Sequence, residues 1–408
     1  MTLKQNFYTS SDQFLMAKKT IQESSISEQD KKDLLVYTEA MSARSISERR
    51  MLKNAYVLRK LSLMKNNPFR TASKEEIEQL VAKIERDKNL KDWSKYDEKV
   101  VLKRFYKWLL GNDETYPAQI IWVKLKEPKN SRLPEDMISE EEIKKLVEIA
   151  KHPRDKAFIF LLYESGCRVG EILSLQVKNV QFGDQMSYII VNGKTGQRRV
   201  PLIACTGYLS MWINMHPLKD NPNAPLWIKN TSREQQEKGA FQAMSYGAVR
   251  KILSKAFLSA GVKKRFNPHN FRHSRATSLA NSFTEAQLKE MFGWTQGSDM
   301  ASRYVHLSGR DVDKALMKSY GLDIPEEERD SPLKPLVCAK CNTTNPPTFS
   351  YCSKCGGILS LKVAVDLEDK RKISDSIMND LMEDTDVLSL MLKKIKQKGL
   401  GEKLRQIV

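Results

Sequence analysis

The sequence predicts a mainly α-helical protein with a small antiparallel β-sheet, divided into several units. Three observations predict it. Apolar residues recur at helical spacing along most of the 408 residues, one short stretch alternates at strand spacing, and four of the six cysteines form two close CxxC pairs. At roughly 150 residues per domain, the length suggests two to three units. Two polar, aperiodic stretches with prolines at 126–134 and 325–332 read as boundaries.

Taken in order, residues 1–33 read as a polar leader, with a helix start near Ser25, Ser27 and Glu28. Residues 34–64 are helical and carry Arg44, Arg49, Arg50, Arg59 and Lys60. Ser73 and Glu76 form a capping box that opens a helix with Ile77, Leu80, Val81 and Ile84 on one face. A further amphipathic helix spans 100–110, with Lys103, Arg104 and Lys107 between aromatics. Such cations either form a solvated face over a core or contact phosphates. Residues 34–130 are therefore expected to form one helical, basic unit.

Beyond the first boundary, Ser139 and Glu142 cap a helix running through Ile149, and a second helix spans 157–163. A third starts near Glu171. Residues 188–191 and 198–202 read as a β-hairpin with its turn at Asn192 and Gly193. The chain then returns to helix from 208 to 320. A tail at 366–408 has the amphipathic stripe Ile373, Ile377, Leu381, Leu388 and Met391, too apolar to be left in water. Packing on a neighbouring protomer and folding back on its own domain both fit it. No period of 20–50 residues repeats.

Composition narrows the function classes. The 68 Lys and Arg against 50 Asp and Glu give a formal charge of +18, which commonly marks a polyanion partner: DNA, RNA or lipid headgroups. A mean hydropathy of −0.51 and the lack of a long apolar run argue against a membrane span. The first residues lack the apolar stretch of a secretory signal, so a soluble intracellular protein is expected. Cys338 and Cys341, with Cys352 and Cys355, fit a tetrahedral structural Zn²⁺ held by two knuckles across 336–358. A redox CxxC or two disulfides are the alternatives, less suited to a chain without a secretory signal. Cys167 and Cys205 read as packing residues.

The chemistry concentrates between 139 and 320. Arg168, Lys194, His269, Arg272, Trp294 and Tyr304 accompany few carboxylates. A phosphodiester transition state gathers negative charge that guanidinium forks match bidentately. Metal-free cleavage also needs a nucleophile, which tyrosine can supply, and a proton donor, which lysine can supply. Gly193-Lys194-Thr195 is not a phosphate-binding loop, because Tyr188 stands where the first glycine is required. Tyr246 and Tyr320 rival Tyr304 only by residue type, and His273 reads as a structural neighbour.

These residues resemble the tyrosine recombinases, the phage-integrase family of site-specific recombinases. SGCRVGEILSL, NGKTGQRRVPL, PHNFRHSRAT and FGWTQGSDMASRYVHLS match four family boxes in order across roughly 139–320. The resemblance implies a catalytic domain at 137–322 behind a core-binding domain at 34–130, with the zinc ribbon (336–358) and helical tail (366–408) outside the family core. It implies that Arg168 and Arg272 clamp the scissile phosphate and that Lys194 protonates the leaving 5′ oxygen. His269 would assist proton transfer, and Tyr304 would form the 3′-phosphotyrosine bond. Trp294 stands where many members carry a second histidine; its indole N–H can donate but cannot relay a proton. Glu171 falls at an acidic position that braces the first arginine. One extra residue separates Trp294 from Tyr304.

The resemblance further implies a homotetramer on double-stranded DNA with specific recombination sites, a Holliday junction intermediate, and no ATP or metal in the chemistry. The setting would be the cytoplasm and nucleoid of an archaeal or bacterial host, with integration or excision of a mobile element as the task. A type IB topoisomerase-like nicking enzyme shares the Arg, Lys and Tyr chemistry but relaxes DNA as a monomer. A non-catalytic DNA-binding derivative would not depend on Tyr304.

Overall fold

The structure, a computed structural model, describes residues 10–128, 136–183, 186–229, 241–307, 319–321 and 331–398. Residues 1–9 of the expected leader, 129–134 and 325–330 of the two boundaries, and 399–408 of the tail lie outside the described residues. The chain divides into two units, Met1–Arg132 and Leu133–Val408.

The first unit is helical. It comprises α1 (Ser10–Gln22), α2 (Glu28–Ala43), α3 (Glu48–Ser62), α4 (Lys74–Arg86), α5 (Asp92–Leu110) and α6 (Ala118–Ile121). Ser27 caps α2 by accepting from the Asp30 N–H at 3.1 Å, and the capping box of Ser73 and Glu76 opens α4. The helical stretch expected over 34–64 is interrupted, with Ser45 at φ +56° between α2 and α3. Of the stretch expected as a leader, 1–33, the described part is largely helical. The chain is helical from Ser10, and Ile21 and Ile26 are buried in the same core as Leu34, Leu58 and Phe105. Burying those two isoleucines draws α1 onto α3.

The cations of this unit divide by task. Lys65 pairs with the buried Asp30 at 2.6 Å, Lys60 with Glu98 at 2.7 Å, and Lys103 donates to the Val123 carbonyl at 2.6 Å. Arg49, Arg50 and Arg104 are exposed.

The second unit begins with α7 (Glu140–Ile149), opened by the capping box of Ser139 and Glu142, and α8 (Pro153–Ser165). Gly166 ends α8 in the left-handed region at φ +56°, where a Cβ would lie 2.3 Å from the Phe292 ring. After α9 (Val169–Leu173) come β1 (Val180–Gln181), β2 (Ser187–Gly193) and β3 (Gly196–Leu202), antiparallel in that order. Then follow α10 (Thr206–Asn214), α11 (Tyr246–Ala260), α12 (Pro268–Ala280), α13 (Glu285–Phe292) and α14 (Met300–Leu307). A single core joins α8, the sheet, α10, α11 and α12.

The hairpin forms with its turn shifted from Asn192 and Gly193. Gly193 pairs with Gly196, so Asn192 and Gly193 stay on β2 and the turn is Lys194-Thr195. Gly196 takes the positive φ of +100°. Gly193 meets a different need, since a Cβ there would lie 2.5 Å from Glu171 Oε1.

The cysteine segment contains β4 (Leu336–Val337) paired with β5 (Thr344–Asn345). The tail forms two helices rather than one, α15 (Leu361–Glu383) and α16 (Thr385–Gln397), because Asp384 caps the second through the Asp386 N–H at 2.9 Å. No residue of α15 is buried, and Ile373 and Ile377 are exposed. Among the described residues no helix is long and apolar enough to cross a membrane.

Candidate active site

Arg272 on α12 is the most enclosed of the expected catalytic residues. Its Nη1 donates to the Gly166 carbonyl at 2.8 Å and its Nη2 to the Phe292 carbonyl at 2.6 Å. The guanidinium also faces the rings of Phe292, at 5.0 Å, and Trp294, at 5.3 Å. Burial, and next the charge of Arg168, pulls its pKa down to about 10. The influence of Arg168 marks an electropositive locus.

Arg168 lies between Gly166 and α9. Its backbone N–H donates to Glu171 Oε2 at 2.9 Å, and its Nη1 to Glu171 Oε1 at 2.9 Å. The side chain remains one-third exposed. Glu171 therefore holds Arg168 at both ends. Burial would raise the Glu171 carboxyl, but the Arg198 guanidinium and the Arg168 N–H outweigh it and hold the pKa below its usual value.

Arg198 is a residue of this site that the sequence reading did not single out. Its Nη2 donates to Glu171 Oε2 at 2.8 Å, Nη1 to Glu171 Oε1 at 3.2 Å, and Nε to the Met291 carbonyl at 3.2 Å. Gly293 makes room for it, as a Cβ there would sit 2.7 Å from Arg198 Nη1. A signal was present in strand alternation: Arg198 shares its face of β3 with the buried Val200 and Leu202. Arg199 points the other way and covers the Tyr188 ring at 3.3 Å.

Lys194 is exposed at the tip of the hairpin, and its neighbour Thr195 reaches the Gly293 carbonyl at 3.5 Å. Trp294 follows α13 and stacks on Tyr304 of α14, with ring centroids 5.5 Å apart and planes 4° from parallel. Phe292 also stacks on Trp294, with ring centroids 5.0 Å apart. Tyr304 is only 5 % exposed, whereas its rivals Tyr246 and Tyr320 are 46 % and 76 % exposed.

Two histidines complete the constellation. His269 is exposed in the first turn of α12, and one helical turn on, the His273 ring lies 5.2 Å from it. His273 Nδ1 in turn meets the Tyr304 hydroxyl. The structure thus gives His273, expected to be a structural neighbour, a direct contact with the candidate nucleophile. Arg272, Trp294, Tyr304 and His273 come together, Arg168 joins through the electrostatics of Arg272, and Lys194 stands on the hairpin tethered to Gly293.

At the other chemical centre, the Sγ atoms of Cys338, Cys341, Cys352 and Cys355 all lie within 4.8 Å of one another, a cluster that could hold a metal ion. Cys338 and Cys355 are 3.6 Å apart and Cys341 and Cys352 3.5 Å. Four thiolates around one ion with 2.3 Å bonds stand about 3.8 Å apart, so the set fits tetrahedral binding.

The fold is that of tyrosine recombinase catalytic and core-binding domains. A XerH site-specific recombinase bound to a palindromic difH substrate superposes with a TM-score of 0.52 at 17% identity, covering 76% of this chain and 95% of that one. A lambda integrase dimer bound to a COC′ core site gives 0.52 at 15% identity, over 73% and 82%. At such identities the likeness speaks for the fold alone. Residues 136–310 match the Phage integrase family. The tyrosine recombinase XerD of Oceanobacillus iheyensis is 30% identical over 177 residues, 41% of this chain and 56% of that protein. The tyrosine recombinase XerA of Pyrococcus horikoshii is 31% identical over 172 residues, 42% and 56% respectively. The match spans little more than half the length of these two relatives.

Proposed function

We propose that this protein is a site-specific DNA recombinase that cuts and rejoins duplex DNA through a 3′-phosphotyrosine intermediate. The convergence of Arg272, Trp294 and Tyr304 from three separate elements is the observation that carries the reading. Arg168 and Arg272 hold the non-bridging oxygens of the scissile phosphate, and the Trp294 N–H adds a donor. Tyr304 Oη attacks phosphorus, the bond to the 5′ oxygen breaks, and Lys194 gives that oxygen a proton. The proton of Tyr304 leaves towards His273, with His269 beside it. Attack by a 5′ hydroxyl of a second duplex reverses these steps and releases the tyrosine. The phosphotyrosine ester conserves the bond energy, so neither ATP nor a metal is needed for the exchange.

Residues 137–322 form the catalytic domain in this reading, and the basic helices of 34–130 contact the DNA backbone. A homotetramer on two recombination sites, passing through a Holliday junction, performs the exchange, and the task is integration or excision of a mobile element in the nucleoid. The cysteine cluster holds a structural Zn²⁺, which would supply cohesion to 336–358 rather than chemistry.

The test uses nicked suicide duplexes drawn from the DNA flanking the gene. Wild type should accumulate a covalent protein–DNA adduct, and Tyr304→Phe should form none. No adduct from wild type on any duplex, or an adduct from Tyr304→Phe, overturns the assignment.

A further inference from the structure

Pro346, in the loop between the two CxxC pairs, occupies the space above Gly207 on α10. A Cβ at Gly207 would lie 2.5 Å from Pro346 Cδ and 3.4 Å from Phe349 Cε2, so a larger residue would push the loop away. Beside it, the Tyr208 ring meets Phe349 edge-on at 4.9 Å and 88°, and the Tyr208 hydroxyl bonds Thr348 Oγ1. One face of the cysteine segment is thus built against the second unit's core. Tyr208, 4 % exposed, in turn packs on Phe160 of α8, the helix that ends at Gly166, two residues before Arg168.

The loop 346–349 lies between Cys341 and Cys352, so an ion joining the pairs closes the loop that carries the seat. Asn345, fully buried, ties the two knuckles together. Its Nδ2 donates to the Thr343 carbonyl at 2.8 Å, and its Oδ1 accepts from the Ser353 N–H at 2.8 Å and the Ser353 hydroxyl at 2.9 Å. Without the ion, four thiols have no common partner, and only the Asn345 bonds and the contacts on α10 offset the entropy of closing the loop.

We propose that the ion held by the four cysteines braces the catalytic unit: by closing the 341–352 loop it seats Pro346 and Phe349 on α10. The cysteine segment is then an internal strut rather than a free nucleic-acid-binding finger. The proposal rests on the reading of the cluster as a metal site.

The experiment follows hydrogen exchange of the α10 peptide, 206–214, in the full chain before and after metal removal, with Co²⁺ as the spectroscopic probe of tetrathiolate binding. Metal removal should raise exchange across 206–214 at least about tenfold and lower the melting temperature of the Tyr304-bearing unit by several degrees. Gly207→Val should keep the Co²⁺ spectrum yet show high α10 exchange with or without metal. Should Gly207→Val not fold, Phe349→Ala should show the same uncoupling in weaker form. Unchanged exchange at 206–214 on metal removal, with 338–355 opening alone, overturns the strut. Absence of a Co²⁺ spectrum overturns the metal reading itself.

Discussion

Arg198 binds both carboxylate oxygens of Glu171, at 2.8 and 3.2 Å, and so ties the hairpin that presents Lys194 to the residue that holds Arg168. Its Nε bond to the Met291 carbonyl adds the approach to Trp294. One guanidinium therefore registers three segments that carry proposed catalytic groups. In the proposed reaction it would act through them, as a positioning residue.

Arg198→Lys tests that positioning role. An ammonium is a point charge that cannot span the two Glu171 oxygens and the Met291 carbonyl together. The cleavage rate at saturating DNA should fall about 10²-fold, with the DNA dissociation constant changed less than about threefold. Single-turnover cleavage and equilibrium binding separate the two. A merely structural role would move stability and leave the rate of the folded fraction alone.

Acid should loosen the same clamp. The Glu171 carboxyl lies below its usual value when folded, so its contribution is present above the unfolded pKa of about 4.3 and is lost as pH falls through the folded value. Glu171→Gln should be less stable than wild type at pH 7 by about 3–5 kcal/mol, since it leaves Arg198 without its counter-charge. That gap should shrink below about pH 4. Denaturant titrations of both proteins across this pH range give the measurement.

Trp294 separates donation from stacking. Trp294→Phe keeps a ring against Tyr304 and Phe292 but removes the N–H, so cleavage should slow about 10²-fold with the fold intact. Trp294→Ala should cost about 3–5 kcal/mol of stability as well, because it opens a cavity in the core. Thermal unfolding beside single-turnover cleavage distinguishes the two variants.

Features written in consecutive residues were legible in the sequence: the capping boxes at Ser73 and Ser139 open the helices expected of them. The hairpin was legible, but its turn was not. Asn192-Gly193 has strong local turn propensity, yet Gly193 is held on β2, where only a missing side chain admits Glu171. The same tertiary dependence hid Arg198, whose partners come from α9 and the end of α13. His273 was hidden because nothing local to α12 announces that α14 will bring Tyr304 to it. Ile21 and Ile26 were too sparse a pattern to announce a helix in the first core.

Arg272 predicts how the empty and occupied sites differ in stability. Its pKa of about 10 means that the folded protein carries a guanidinium at a cost at every pH below that value, through burial and through Arg168. A bound oxyanion offsets this cost, so sulfate or vanadate should raise the melting temperature beyond the general effect of ionic strength. Sodium chloride at matched ionic strength controls for screening. The specific rise should vanish in Arg272→Ala and shrink in Arg168→Ala. An equal rise in all three proteins would place the anion elsewhere.

The contact of His273 with the Tyr304 hydroxyl makes the last prediction. A neutral imidazole facing a phenol can take its proton as the oxygen attacks, and His269, 5.2 Å away between ring centroids, stands next in line. His273→Gln retains a hydrogen-bonding side chain but no base. Its cleavage at pH 7 should fall about 10²–10⁴-fold and recover as pH rises towards the ordinary tyrosine value of about 10. His269→Gln, one helical turn from the ring whose Nδ1 meets the phenol, should show a smaller loss. A flat pH profile for His273→Gln, parallel to wild type, would assign His273 to holding the Tyr304 ring and leave the proton to another acceptor.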